Sequence, residues 1–235
     1  MSLRIVCIIP ARSDSSRFPK KHLELIGQYP MIGLLIMRMK ALKLIDEVVV
    51  ATTDRQCDDE LSSLSKSLGA RVYRGSLEDV IGRFAEASRQ YKADICIKAN
   101  GDNPLQCPEV VEMCIKQLIK NKADLVTGRN KYSGLPVGIG PEVATFSTIN
   151  WLDENTTEEF REDTTNFLFN TKTFKRVEGV KVPKAWTQSS ESMTIDTLED
   201  MDKLKKIISQ LPKTTPDNWG ILEIIGEMNK YEKTA

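Results

Sequence analysis

The sequence predicts an α/β fold of three layers, in which helices cover both faces of a mostly parallel sheet. Short apolar runs rich in Val and Ile alternate along the chain with segments whose apolar residues recur every three or four positions. The short runs are typical of strands buried on both faces, and the longer spacing is typical of amphipathic helices. Their regular alternation is the pattern of a parallel sheet with crossover helices.

The first strand is predicted at residues 5–9, where five apolar residues follow one another. A helix over 31–44 follows the turn at Pro30, a helix over 58–68 stops at Gly69, and a helix over 108–121 has Pro108 in its first turn. A further helix is predicted at 77–91. The remaining apolar runs predict strands at 48–51, 71–73, 95–99 and 124–127.

The alternation changes after Gly128. Residues 131–141 are rich in Gly and Pro and predict an irregular loop over the active face. Beyond it we expect strands at 143–146 and 174–180, strand character at 193–195, and helical stretches at 158–169, 200–208 and 219–231. We expect one domain over residues 1–235, with 129–192 as an insertion.

Composition excludes several classes of protein. The 33 Lys and Arg residues balance 33 Asp and Glu residues, which argues against a general nucleic-acid or membrane surface. The five cysteines form no C-x-x-C pair, so we expect reduced thiols, no zinc site and a cytoplasmic protein. Residues 1–9 lack signal-peptide features, and no apolar run approaches the length of a membrane span.

The loop at residues 10–21, reading P-A-R-S-D-S-S-R-F-P-K-K, is suited to a polyphosphate. It leaves the carboxyl end of the first strand, where open α/β sheets bind ligands. Its small residues allow backbone N–H groups to approach a phosphate, and its cations offer charge-assisted hydrogen bonds. These cations are Arg12, Arg17, Lys20 and Lys21. The alternative is an exposed loop with solvated charges.

Two aspartates follow predicted strands and are candidate magnesium ligands. Asp102 lies in K-A-N-G-D-N-P-L after the fourth strand, and Asp196 lies in M-T-I-D-T-L-E-D. Mg²⁺ commonly takes one or two protein carboxylates and completes its shell with phosphate oxygens and water. Asp102 could instead belong to a simple turn. Asp196 or Thr197 could simply cap the following helix. Together with the basic loop, the aspartates indicate a metal–triphosphate site.

These residues resemble the signatures of CMP-sugar synthetases, a cytidylyltransferase family, and in particular its branch called spore coat polysaccharide biosynthesis protein F. The resemblance covers roughly residues 3–208. Beside the first loop, the motifs are I-D-E-V-V-V-A-T-T-D at 45–54, R-G-S-L-E-D-V-I-G-R-F at 74–84, N-G-D-N-P-L at 100–105 and T-I-D-T-L-E-D at 194–200.

The resemblance implies a glycosyltransferase-A-like nucleotidyltransferase fold that is often dimeric. It implies transfer of a nucleotidyl group from CTP to a sugar or sugar acid with release of pyrophosphate, for surface polysaccharide or glycoconjugate biosynthesis. The inserted segment 129–192 would then serve the acceptor or dimerisation. An acceptor hydroxyl or phosphate would attack the α-phosphorus in line.

The resemblance also assigns roles. Arg12, Arg17, Lys21 and Asp102 are expected to be catalytic, and Asp102 and Asp196 to bind Mg²⁺. We place Lys21 nearest the α-phosphate, and Arg12 and Arg17 nearest the leaving pyrophosphate. The residues expected to bind the nucleotide are Pro10, Ala11, Arg12, Ser13, Ser16, Arg17, Lys21, Ala51, Thr52, Arg74, Gly75, Asn100 and Gly101. Those expected at the acceptor are Asp79, Arg83, Glu142, Arg161 and Glu162.

The chain departs from the family pattern on the acceptor side. Gly140 replaces an acid of G-L-D-V-E, and Asp163 replaces the histidine of R-E-H-V-T. These changes predict a different acceptor or a weakened catalyst. His22 is expected to support the loop and not to act as a base. The alternatives are a glycosyltransferase, a nucleotidyltransferase that uses GTP or UTP, and a non-catalytic nucleotide sensor.

Overall fold

In a computed structural model, the described residues are 2–162, 165, 169 and 176–234. A seven-stranded sheet forms the centre, in the order β5-β4-β1-β6-β8-β7-β9. Its strands are β1 (Ile5–Pro10), β4 (Glu47–Thr53), β5 (Arg71–Gly75), β6 (Ile95–Lys98), β7 (Leu125–Thr127), β8 (Glu142–Thr145) and β9 (Val177–Gly179). A separate hairpin pairs β2 (Leu25–Ile26) with β3 (Tyr29–Pro30).

Helices cover both faces of this sheet. They are α1 (Met31–Ala41), α2 (Asp59–Ser67), α3 (Val80–Gln90), α4 (Pro108–Asn121), α5 (Asn130–Ser133), α6 (Phe146–Asn155), α7 (Leu198–Gln210) and α8 (Ile221–Thr234). Side chains of α3 and α6 form the apolar core on one face, and those of α1, α2, α4, α7 and α8 form the core on the other. This arrangement confirms the predicted three-layer α/β class.

The first strand is buried on both faces, as its continuous apolar run predicts. Ile5, Cys7 and Ile9 pack into one core, whereas Val6 and Ile8 pack into the other. The strand pairs in parallel with β4 and β6, and β4 pairs in parallel with β5. The carboxyl ends of these four strands therefore meet at one edge of the sheet, where the loop at residues 10–21 begins.

Two strands from the segment 129–192 belong to the main sheet. Strand β8 lies antiparallel between β6 and β7, and β9 adds the outer strand next to β7. The apolar residues of β8 are buried on both faces of the sheet, since Val143 packs into one core and Ala144 into the other. Alternation along the sequence reveals a strand but not its neighbour, so the membership of β8 in the main sheet was not predicted.

Between residues 146 and 180, the structure adds one helix and describes two predicted elements only in part. The sequence analysis missed α6, which Thr145 caps through a hydrogen bond from the Thr148 amide. Of the helix predicted at 158–169, the structure describes a 3-10 turn at Glu158–Phe160, and residues 163, 164 and 166–168 lie outside the described part. The strand predicted at 174–180 is described only as β9, because 174 and 175 also lie outside it.

Residues 193–195 are extended but join no sheet, contrary to the strand character expected there. The Met193 amide donates to the Val137 carbonyl at 2.8 Å, and the Ile195 amide donates to the Asp102 carbonyl at 2.9 Å. Met193 and Ile195 are buried in the apolar core, so their apolar pattern resembles that of a strand. The contact places the segment before Asp196 directly beside Asp102.

In the part of the chain that the structure describes, no helix has both the length and the apolar character that crossing a membrane requires.

The backbones at Gly128 and Gly140 approach closely, where β7 and β8 diverge. The Gly128 amide donates to the Pro141 carbonyl at 2.7 Å. A Cβ atom on Gly140 would lie 2.3 Å from the Gly128 oxygen and 2.6 Å from its Cα atom. Position 140 therefore has no room for the side chain of an acid.

We expect Gly140→Ala to lower the free energy of unfolding by about 2 kcal/mol, because the added methyl group overpacks against backbone. Urea unfolding measures this loss. The control is Gly226→Ala in α8, where a Cβ atom meets nothing within 4 Å. Alanine's greater helix propensity should make that control slightly more stable. Equal stability of the two variants would contradict the close approach.

Candidate functional site

A cavity of about 370 Å³ lies at the carboxyl ends of β1 and β6. Most of the residues predicted around the triphosphate line it. From the expected nucleotide and metal sites these are Pro10, Ala11, Arg12, Ser16, Arg17, Lys21, Asn100, Gly101, Asp102 and Asp196. Arg83 and Glu162, expected at the acceptor, also line this first cavity. The tertiary structure thus brings together segments from the beginning, middle and end of the chain.

The basic loop is closed and anchored by backbone hydrogen bonds. The Lys20 amide donates to the Ser13 carbonyl at 2.7 Å, and the Ser13 amide donates to Asp58 at 2.6 Å. The Asp58 carboxylate, which is fully buried, also accepts a hydrogen bond from the Thr53 hydroxyl. The loop is therefore held to the end of β4, and Ser13 supports it from beneath without lining the cavity.

Asp58 is held as a carboxylate by these hydrogen bonds. Burial alone would raise the pKa of Asp58, but the hydrogen bonds from Thr53 and Ser13 outweigh burial and hold the pKa below its usual value. Asp58 therefore contributes stability as an anion at neutral pH. Sequence analysis did not identify this residue, because an acid at the start of a helix is usually an exposed cap.

Lys21 occupies the centre of the site and is 5% exposed. Its ammonium donates to the Ile195 carbonyl at 2.5 Å and lies 3.3 Å from Asp196 and 3.9 Å from Asp102. A lysine is seldom this deeply buried unless its charge is paired. Here both predicted metal-binding acids pair with it.

Asp102 lies in a turn, and its carboxylate faces the cavity. The Asn103 amide donates to the Asn100 carbonyl at 2.9 Å, so the predicted turn and the predicted acidic site are both present. Burial raises the pKa of Asp102; Lys21 opposes the rise and Asp196 adds to it. One carboxylate oxygen, Oδ1, is buried without a hydrogen-bond partner among the described residues.

Asp196 does not cap the helix that follows it. Thr197 is the N-cap of α7 and forms a capping box with Asp200. The Asp196 carboxylate is therefore directed elsewhere, and it lies 3.0 Å from Arg17 and 3.3 Å from Lys21. Sequence analysis left the cap and the metal ligand open for this segment, and the structure assigns the cap to Thr197.

Gly101 allows the turn after β6 to approach the first loop. Its amide donates to the Pro10 carbonyl at 3.1 Å, and a Cβ atom here would lie 2.8 Å from the same carbonyl oxygen and 2.9 Å from the Ala11 Cβ. His22 is also packed here, and burial together with Lys21 lowers the pKa of His22 to about 4. The imidazole is neutral at pH 7.

Cations outnumber acids around the first cavity. Arg12, Arg17, Lys21, Arg83 and Lys98 face three acids, Asp102, Glu162 and Asp196. Burial lowers the pKa of Arg83 and the neighbouring Arg12 lowers it further, but an arginine stays protonated at neutral pH. The cavity is therefore suited to a polyanion.

A second cavity, of about 430 Å³, adjoins the first. The two share Lys98, Asn100 and Asp102 as a common wall. Of the residues expected at the acceptor, Glu142 lines this second cavity. Glycine backbone from the loop predicted at 131–141 forms part of the same lining.

Glu142 organises the charges of the second cavity. It is buried, forms an ion pair with Arg129, lies 3.5 Å from Lys98, and accepts a hydrogen bond of 2.5 Å from the Thr165 hydroxyl. Burial would raise the pKa of Glu142, but Lys98 and Arg129 outweigh it and lower the pKa. The Glu142 carboxylate therefore compensates one of the two neighbouring cations.

Asp79 and Arg161, both expected at the acceptor, line neither cavity. Asp79 caps α3 and accepts two hydrogen bonds from Arg161, at 2.7 and 3.0 Å. Arg161 also donates to Asp153 at 2.6 Å. These contacts hold the segment around Arg161 to α3 and α6, so the role of Asp79 and Arg161 is structural.

Like Ser13, four more residues expected around the nucleotide do not line the first cavity. Arg74 donates to the Thr53 and Arg55 carbonyls and forms an ion pair with Asp59. The Ala51 carbonyl accepts from the Ala11 amide at 3.2 Å. The other two, Thr52 and Gly75, lie in β4 and β5. Of these four, Ala51 contacts the loop directly, through the Ala11 amide.

Sequence analysis missed the shared wall and much of the second cavity. Lys98 ends an otherwise apolar strand, and a charge at that position is the signal that identifies it. Asn103 and Gln106 follow Asp102 and look like ordinary turn residues. Position 163, where the histidine of the family motif is replaced, lies outside the described residues.

The stability of the anchored loop should depend on pH through Asp58. Asp58→Asn removes a carboxylate that accepts two hydrogen bonds, so we expect a loss of about 1–3 kcal/mol at pH 7. Because the folded pKa is depressed, this contribution is present above the unfolded value near 4 and is lost as pH falls through the folded value. Denaturant unfolding at pH 7 and at lower pH should show the difference between variant and wild type shrinking with acid.

The matched control is Asp202→Asn, at an exposed position of α7. It should change stability little at any pH. A difference between Asp58→Asn and wild type that stays constant from neutral to acid pH would contradict a depressed pKa at Asp58.

Comparison with known proteins identifies the family of this chain. The cytidylyltransferase family profile matches residues 6–230. The spore coat polysaccharide biosynthesis protein SpsF of Bacillus subtilis is 30% identical over 213 residues, 86% of this chain and 85% of that protein. The 3-deoxy-manno-octulosonate cytidylyltransferase of Pelobacter propionicus is 34% identical over 117 residues, 50% of this chain and 45% of that enzyme.

A solved structure matches almost the whole chain. It is a cytidylyltransferase from Leptospira borgpetersenii serovar Hardjo-bovis, with a TM-score of 0.89 and 28% identity over 99% of this chain and 96% of that one. The family profile covers the basic loop, Asp102, Asp196 and most of the described fold. By sequence and by structure, the chain belongs to the cytidylyltransferase family.

Proposed function

We propose that this protein transfers a cytidylyl group from CTP to a sugar or sugar acid and releases pyrophosphate, for surface polysaccharide or glycoconjugate biosynthesis. The observation that carries the proposal is the buried Lys21 ammonium of the cationic first cavity, which pairs with Asp196 and with Asp102, an acid that also lines the adjoining second cavity. The first cavity suits a triphosphate and the second suits an acceptor. The names of the relatives, which include a sugar-acid cytidylyltransferase, support the acceptor class.

The cations of the first cavity have separate roles in the proposal. Lys21 is deepest and offers a compact charge to one oxygen of the α-phosphate. Arg12 and Arg17 are more exposed, with 41% and 65% of their side chains accessible, and suit the leaving pyrophosphate. Fixed charges aimed at developing negative charge stabilise the transition state without reorganising during the reaction.

The acceptor reaches the α-phosphorus across the shared wall. Lys98 and Asp102 line both cavities, so a hydroxyl or phosphate held in the second cavity faces a phosphate held in the first. The wall positions the two substrates for in-line attack, and positioning of this kind supplies much of the acceleration in phosphoryl transfer. Lys98, already beside Glu142, offers its charge to either substrate.

The residues present fit a magnesium ion. The buried Oδ1 of Asp102 lacks a partner among the described residues, and Asp196 supplies a second hard oxygen ligand. Clusters of three or more His, Cys, Asp or Glu residues are absent from the described part, which suits a metal that takes the rest of its shell from phosphate and water. Bound there, Mg²⁺ would neutralise phosphate charge and orient the triphosphate.

The proposal also covers the cellular environment, the oligomeric state and the partners of the protein. Its cysteines are all free in the structure and four of the five are buried, which supports a reducing, cytoplasmic environment. A homodimer is also proposed, on the resemblance to a family that often dimerises. Neither nucleic acid nor membrane is a proposed partner, because the charges of the chain balance.

The CTP reaction is tested by pyrophosphate release from CTP, GTP and UTP with a panel of sugar acids and sugar phosphates, including 3-deoxy-manno-octulosonate. We expect release with CTP and a sugar acid. Faster release of pyrophosphate from GTP or UTP would show that one of these nucleotides, and not CTP, is the substrate. Nucleotide binding without turnover across the panel would identify a nucleotide sensor instead.

The central lysine is tested by Lys21→Gln, which should lower kcat about 100-fold or more because it removes a fixed charge from the transition state. Lys20→Gln is the matched control, since Lys20, although a cation of the same loop, lines neither cavity and forms an exposed ion pair with Glu60. Its activity should stay near that of the wild type. An active Lys21→Gln enzyme would remove Lys21 from the reaction.

The metal site is tested by Asp102→Asn and Asp196→Asn, each of which weakens a hard oxygen ligand. Both should lower kcat by about 100-fold or more and raise the Mg²⁺ concentration needed for half-maximal CTP binding, measured by calorimetry. Asp202→Asn is the control. Thermal unfolding confirms that each variant is folded. Full activity of Asp196→Asn would leave this residue with a structural role beside the helix cap.

A further inference from the structure

Two amide side chains of the second cavity are almost fully buried. Asn103 is 6% exposed and Gln106 is 1% exposed, and both line the cavity. Neither Asn103 Oδ1 nor Gln106 Oε1 has a hydrogen-bond partner among the described residues. A buried acceptor without a partner carries the cost of its lost hydration. Oxygens of this kind in a cavity point to a ligand that supplies the missing donors.

The orientation of the Gln106 amide is fixed by its other contacts. Its Nε2 donates to the Gly140 carbonyl at 3.0 Å, and its backbone amide donates to the Asn103 carbonyl at 3.2 Å. Rotating the amide group by half a turn would place Oε1 against the Gly140 oxygen, two acceptors together. The free group of Gln106 is therefore an acceptor, and it requires a donor.

Arg38 holds Gln106 from behind. This α1 arginine is fully buried, and its Nε donates to the Gln106 carbonyl at 2.9 Å. Its other nitrogens donate to the Pro216 carbonyl at 2.6 Å, the Trp219 carbonyl at 3.0 Å and the Cys107 sulfur at 3.4 Å. The guanidinium thus joins the turn before α4 to the segment before α8.

The charge of Arg38 is satisfied by carbonyl dipoles, since no acid forms an ion pair with it in the described part of the chain. Burying a guanidinium in this way is costly unless every donor is used. The Arg38 guanidinium fixes the turn before α4 and the segment before α8 to α1, which gives Gln106 a rigid support. On the opposite side of the Gln106 amide lies Gly140, which has only backbone. A ligand at this part of the wall would therefore meet the side chain of Gln106.

We propose that Gln106 is a specificity-determining residue of the acceptor site, and that Arg38 is its positioning residue. Gln106 Oε1 accepts a hydrogen bond from a hydroxyl or N–H group of the acceptor sugar. Sugars that carry a carbonyl, a carboxylate or no substituent at that position are disfavoured, because the buried oxygen is then left unpaired. This inference rests on the proposed acceptor role of the second cavity.

The test is Gln106→Met, which keeps the length of the side chain and removes its oxygen. Probes are CTP, 3-deoxy-manno-octulosonate and a nonulosonic acid, each titrated calorimetrically and assayed for pyrophosphate release. For the sugar that binds best, we expect the Kd and KM to rise about tenfold, the cost of one lost hydrogen bond in a buried site. The CTP values should change by less than about twofold.

Arg38→Lys should raise the acceptor KM in the same direction without changing the CTP KM, since a lysine cannot span all three carbonyls. A merely structural role would lower the thermal midpoint and leave both KM values unchanged. The matched control is Gln117→Met in α4, because the Gln117 amide donates to the Gly179 carbonyl at 3.0 Å outside both cavities. That variant should keep the acceptor KM of the wild type.

The outcomes separate this inference from the proposed function. If a sugar binds but no pyrophosphate is released, the proposed function fails and the Kd values still test Gln106. If Gln106→Met binds the sugar as the wild type does, the specificity role is overturned. The inference is also overturned if no sugar of the panel binds the wild-type protein at millimolar concentration, or if a deoxygenated analogue of the best sugar binds equally well to both.

Discussion

The site depends on one interaction, the buried Lys21 ammonium between Asp196, Asp102 and the Ile195 carbonyl. It connects positions 174 residues apart in sequence, so the basic loop and the end of the fold become one surface. A buried lysine requires compensating charge, and two nearby carboxylates require a cation. Each charge therefore compensates the burial of the others. The proposed triphosphate site lies at this arrangement.

The loop that carries Lys21 is held from below. Asp58 accepts hydrogen bonds from the Ser13 amide and the Thr53 hydroxyl. Gly101 allows the turn after β6 to come within hydrogen-bond distance of Pro10. Small residues and backbone contacts at these points leave the charged side chains directed into the cavity. This division between a rigid backbone and exposed cations is what an anion-binding loop requires.

The second cavity follows a different principle. Its charges are partly compensated by Glu142, and its wall is shaped by glycine backbone at positions 128 and 140. Recognition there depends on buried polar groups, because a buried acceptor discriminates strongly between ligands that pair with it and ligands that do not. The replacement of an acid by Gly140 therefore changes the shape of the wall as well as its charge.

The sequence by itself determined the α/β class, the order of most strands and helices, and the positions of the basic loop and the two acids at strand ends. These follow from local patterns, since apolar periodicity and strand-end position are properties of short segments. The tertiary structure alone decided that β8 enters the main sheet, that Thr197 caps α7, and that Asp79 and Arg161 bind each other. It also decided that Lys98, Asn103 and Gln106 face a cavity. Whether a side chain is buried depends on residues distant in sequence, and local sequence patterns do not show which distant segments meet.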